Sequence, residues 1–201
     1  MSFWEGLSWG LATALLLGPV FFTLLRAALD HGFRGGALVA AGIIVSDVLV
    51  LVLCLSGARL VGVGFIDEQR IAFAGGILLL CMGLVYLFKK SQVAVRPHGF
   101  RKRDALGLFT SGFLVNFVNP FVFAVWAGLV LHATNRHGAG GERAAFFLAV
   151  LVGILASDLL KAWLAPRLAR LLSGDLLMWI RRAIGLLLLL SSARLLWLGF
   201  A

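Results

Sequence analysis

The chain has 201 residues, 61% of them hydrophobic and only 13% charged, with a mean hydropathy of +1.01 and a net charge of +9. A soluble globular domain is excluded, since it would carry ~45–50% apolar and ~25% charged residues. An outer-membrane-type barrel is excluded too, because nothing alternates apolar and polar over ~10 residues.

Six apolar blocks follow in chain order, each near or above the ~20 residues that cross a bilayer as a helix. The first, Leu7–Leu29, holds Gly18-Pro19 in its middle and Arg26 near its end, the latter read as an interfacial anchor. Its upstream residues lack a basic region and run too long for a cleavable signal, so it reads as the first span. A proline inside a helix removes a donor and frees the carbonyl four residues back, here that of Leu15. The second block, Ala37–Val63, contains "GIIVSD", ending in Ser46 and Asp47, and then Cys54. The third, Ile71–Phe88, contains Cys81. Neither cysteine sits in a CxxC spacing, and both read as small buried hydrophobes.

The basic stretch "KKSQVAVRPHGFRKR" separates this half from the fourth block, Leu106–Leu131. That block holds Asn116 and Asn119-Pro120, a second proline break, with the Asn116 carbonyl freed. After the turn-rich "HATNRHGAGGER" comes the fifth block, Ala144–Ala165, with "GILASD" ending in Ser157 and Asp158, and with Lys161 one turn later. Lys161 either neutralises Asp158 or snorkels towards Arg167. Ile180–Phe200 is the sixth block.

The second half repeats the first. Each has a proline break, a Gly-x-x-x-Ser-Asp element and a closing Ile/Ala/Gly-containing span. Prolines 19 and 120 lie 101 positions apart and acids 47 and 158 lie 111 apart, the gain falling in the longer loop of the second half. Residues 1–88 and 106–201 are thus two three-span repeats joined by a basic linker, 89–105. An odd number of spans per repeat makes the copies inverted, the arrangement of secondary transporters.

Loop charges set the expected orientation. Arg26, Arg34, Lys89, Lys90, Arg96, Arg101, Lys102, Arg103, Arg167, Arg170, Arg181 and Arg182 fall on one side. Only Arg59, Arg70, Arg136, Arg143 and Arg194 fall on the other. The first side is then cytoplasmic and both termini lie outside. The basic linker reads as an anchor at anionic lipid and not as a nucleic-acid site.

An intramembrane acid costs ~2.5–3.5 kcal/mol on insertion scales and marks function. Asp47 and Asp158 are therefore the candidate proton- or ammonium-binding groups, with Ser46, Ser157, Asn116, Asn119 and Lys161 around them. Gly18, Pro19 and Pro120 are the helix breaks expected to line the site. Half-helix N-termini there suit a substrate carboxylate. The Gly/Ser pairs at i, i+4 equally allow close helix packing.

The run "LLLGPVFFTLL…GFRGG…AGIIVSD", then "SGFLVNFVNPFVFAVWAG" and "GILASD", resembles the LysE/RhtB family of amino-acid exporters, in particular the subset with GPVFF in the first span. The resemblance implies a non-enzymatic, multi-pass exporter of amino acids or related metabolites in the bacterial inner membrane. It also implies proton exchange; no cofactor or resident metal is expected. The glycine-rich faces permit a homodimer. Divalent-metal export within the same superfamily is the alternative, although His31, His98, His132 and His137 all fall at span ends or in loops. A thiol redox carrier would want cysteines beside the two prolines, and an intramembrane enzyme a nucleophile with its base. The blocks hold neither pattern. A non-transporting scaffold is the remaining competitor.

Overall fold

A computed structural model describes residues 2–13, 18–62, scattered helical positions between Phe73 and Phe88, and residues 104–138, 140–171 and 174–200. Its labelled elements are α1 (Ser2–Thr13), α2 (Pro19–Gly62), α3 (Ala105–Phe117), α4 (Pro120–His137), α5 (Gly141–Leu171) and α6 (Gly174–Phe200), and no strand occurs among the described residues. Helix is what such a sequence must form, because in lipid each backbone donor and acceptor needs a partner within its own segment. Among the described residues, Pro19–Gly57 and Gly141–Ala169 are each long and apolar enough to cross a membrane. A third candidate is α3 with α4, bent by 66° at their break.

Apolar blocks and helices do not coincide. The first block is no single helix: α1 ends at Thr13 and α2 begins at Pro19. The fourth block splits the same way, with α3 ending at Phe117 and α4 starting at Pro120. Between the first and second blocks the sequence reads as a loop, yet the helix continues, interrupted only at Gly32 (φ 69, ψ −173). Glycine alone enters that region without strain. Gly138 (φ 61, ψ −147) ends α4 with the same sign of φ. Each helix that starts at a proline break therefore runs to a positive-φ glycine. Linker residues 89–103 and the Leu15 carbonyl lie outside the described residues.

Bare backbone at glycines sets the packing. α2 lies along α3 and α5, and α1 lies along α5. Gly112 of α3 sits on the Val39 carbonyl of α2, and Gly10 of α1 sits on the Val150 carbonyl of α5. Gly42 of α2 in turn faces the Phe109 carbonyl, as Gly153 of α5 faces that of Leu7. Val39 and Gly42 stand to "GIIVSD" as Val150 and Gly153 stand to "GILASD". The α3–α2 contact and the α1–α5 contact are therefore one contact made twice. At a further crossing, Gly83 and Gly185 approach backbone to backbone, and Ser192 Oγ donates to the Gly76 carbonyl at 2.8 Å.

Two apolar clusters flank the centre. One gathers Phe21, Leu24, Leu25, Val39, Ile43, Ala162 and Ala165; the other gathers Val50, Trp126, Leu129, Val130, Phe146 and Val150. Between them lies the polar region.

Candidate functional site

A cavity of about 130 Å³ opens where the two helix breaks meet α2 and α5. Asp47, Asp158, Asn116, Asn119, Lys161 and Gly18 line it, so six of the sequence-derived candidates share one space. Both acids are buried, 4% and 6% exposed.

Asp47 is held by neutral donors. Asn116 Nδ2 donates to its Oδ1 at 2.8 Å and Trp126 Nε1 donates to the same oxygen at 2.9 Å. The Asn116 amide also reaches Ser46 Oγ at 3.1 Å and the Ile43 carbonyl at 3.3 Å. Fully buried Ser46 thus joins the site through Asn116 and not through the cavity wall. Its counterpart Ser157 is half-buried and is not among the residues lining the cavity.

Asp158 is held differently. Lys161 Nζ donates to its Oδ1 at 2.9 Å, with the lysine side chain 16% exposed. Of the two readings open for Lys161 in the sequence, the structure makes it the partner of Asp158. With both carboxylates ionised and the lysine protonated, this part of the cavity carries one excess negative charge. In a low-dielectric surround such an excess favours a cation or a proton strongly.

The second break corrects two expectations. The Asn116 carbonyl is not left free, because the chain turns at Val118 and the Asn119 N–H donates to it at 3.1 Å. Nor is the α4 N-terminus an open donor set: Asn119 Oδ1 accepts from the Phe121 N–H at 3.2 Å, and the Asn119 carbonyl accepts from Val122. Asn119 is an N-cap, with Pro120 in the first helical position where its missing N–H costs nothing. At the first break Gly18 lines the cavity and its carbonyl accepts from Phe22 at 3.3 Å. Pro19 begins α2 and is exposed.

Sequence reasoning missed Trp126 and Thr13. Trp126 lies two helical turns after Asn119, on the same face of α4, and that spacing could have found it. Thr13 lies at the end of α1, inside what reads as an unbroken apolar run, and no local signal marked it.

Among the described residues no group of three or more His, Cys, Asp or Glu side chains is placed to hold a metal ion. The family model for LysE type translocators matches residues 11–199, nearly the whole chain. No curated protein and no solved structure matches it.

Proposed function

The chain belongs to the LysE type translocators and is thereby a membrane exporter of amino acids or related compounds; from that premise we propose proton-coupled alternating access about the cavity between the helix breaks. The proposed frame is six spans in two inverted three-span repeats, in the bacterial inner membrane with both termini outside. The glycine contacts made twice, by α3 on α2 and by α1 on α5, support that frame.

One observation carries the mechanism: Asp47 and Asp158, matching residues of the two repeats, line a single cavity with both breaks. In the proposed cycle Asp47 takes a proton or the substrate ammonium. Its two neutral donors hold the carboxylate in place while leaving its charge uncompensated. Lys161 and the start of α2 meet the substrate carboxylate, since the start of α4 is already capped. At about 130 Å³ the cavity is far smaller than the ~300–1,000 Å³ of open ligand pockets, so this conformation suits only a small solute.

Counterflow in proteoliposomes, with a panel of labelled amino acids and divalent metals, tests the reading. Exchange of a small amino acid that disappears in Asp47→Asn supports it. Metal exchange without amino-acid exchange replaces it with metal export.

A further inference from the structure

A second space, of about 400 Å³, lies between α1 and α4. Trp9, Ala12, Ala124 and Gly128 are among its lining residues. Thr13 and Val125 line both this space and the Asp47 cavity, so the two adjoin there. At the other end stands His132, and beyond it a cluster of charges joins α1 to α4. His132 Nε2 donates to Glu5 Oε1 at 2.8 Å, Arg136 Nε lies 3.3 Å from the same oxygen, and His137 Nε2 lies 3.4 Å from Oε2. Glu142 of α5 faces this group through His137 Nδ1, at 3.9 Å. The His132 ring is fixed between Trp9 and Phe146, with centroids 5.5 and 5.9 Å away.

We propose that the space between α1 and α4 is the outer passage of the cavity, and that the Glu5–His132–Arg136–His137 clasp is the gate across it. The proposal rests on the export reading and on its orientation, which puts this end outside. Three features support a gate over a merely structural contact. First, α1 packs along α5, so the clasp bridges a gap instead of capping a packed seam. Second, α1 rests on α5 through Gly6 and Gly10, set against the Phe146 and Val150 carbonyls. The atoms that meet these two glycines are backbone atoms and the Ala149 methyl, so no large side chain is interlocked there.

The third is a counterpart at the opposite end. There Asp104, the residue just before α3, lies 4.0 Å from the Nδ1 of His31, the last residue before the Gly32 break. In each case a carboxylate at the start of one broken span meets a histidine at the end of the other. The outer contact is the shorter and has three cationic or protonatable partners. The outer gate is therefore the tighter of the two in this conformation.

The test uses Thr13→Cys in a chain carrying Cys54→Ser and Cys81→Ser, in right-side-out membrane vesicles. A charged, membrane-impermeant thiosulfonate is added outside and the labelling rate is measured. Glu5→Gln is expected to raise that rate by about tenfold, the order of effect of losing one hydrogen bond to a charged group. His132→Leu serves as the second variant should Glu5→Gln fold poorly. Labelling that neither variant changes overturns the gate, and so does an acceleration by these variants that appears only from the cytoplasmic face in inverted vesicles. Because labelling needs no transport, clasp-dependent labelling in a chain that exchanges no amino acid would sink the export reading and leave the gate standing.

Discussion

Asp47 and Asp158 end two similar hexamers, "GIIVSD" and "GILASD", yet they are kept by opposite means. Asp47 has two neutral donors from the other half, Asn116 and Trp126; Asp158 has a cation from its own helix. Where Lys161 stands in the second half, the first has Val50, and where Trp126 stands the first has Leu25. Both replacements are buried core residues. The two acids thus share a hexamer motif and a glycine contact, while their surroundings differ: one is an uncompensated carboxylate and the other is half of an ion pair. A buried charge with a cation beside it is neutralised, and one held only by dipoles still seeks a counter-charge.

The sharpest way to break that contrast is Asp47→Asn, which keeps shape and removes charge. Counterflow is expected to fall by about 10- to 100-fold, the effect of losing a charged contact at the site. Unimpaired exchange would end the distinction. Next comes the pair in the other half. Lys161→Met strands a buried carboxylate and should cost about 3–5 kcal/mol in unfolding experiments in detergent. The double variant Asp158→Asn/Lys161→Met should recover most of that stability, while its half-saturating substrate concentration rises and its maximal rate holds. A double variant no more stable than the single would show that the two side chains do not act as a pair.

The repeated glycine contact gives a smaller effect. A methyl at Gly42 would collide with the Phe109 carbonyl and with the Phe113 nitrogen 2.8 Å away, and Gly42→Ala should cost about 1–3 kcal/mol. At Gly153 the nearest atom, the Leu7 carbonyl oxygen, is 2.9 Å off and the next is 3.1 Å, so Gly153→Ala should cost less. Equal losses would mean that the copies pack alike.

The smallest effect is at the outer clasp. The hydrogen bond from His132, helped by the charges of Arg136 and His137, holds the Glu5 carboxyl below its ordinary 4.5, against the burial that pushes it up. A lowered carboxylate stabilises the fold above its unfolded value and loses that contribution as pH falls through the folded one. The difference in melting temperature between wild type and Glu5→Gln should therefore be complete near neutral pH and close on acidification through and below the ordinary carboxylate range. A difference that widens on acidification would contradict it.

The membrane class, the two breaks and the duplicated acids were legible because each violates the local chemistry of an apolar run. A proline or a carboxylate in grease is conspicuous on its own. Trp126 was not, since an indole in an apolar helix is ordinary until the carboxylate it donates to is known. The capping role of Asn119 was partly visible in Asn-Pro, but whether it leaves backbone donors open depends on the turn at Val118. Gly6, Gly10 and Gly112 carried no signal in a chain with 24 glycines, because a close contact is a property of two helices. The choice for Lys161 turned on a rotamer, which no spacing decides.

Gly32 has a mechanical consequence. It alone separates the helix that begins at the first break from the long helix carrying Asp47, with no slack between them. The arm 19–31 is about 20 Å long at ~1.5 Å per residue. A swing of about 10° at this elbow would carry the cavity-lining Gly18 through about 3.5 Å, a little more than the diameter of a water molecule. The arm that begins at the second break ends at His137, capped by Gly138, and α5 is a separate helix that begins at Gly141. The two acids are therefore coupled to their breaks differently: Asp47 shares one kinked helix with the arm of the first break, whereas Asp158 sits on a different helix from the arm of the second.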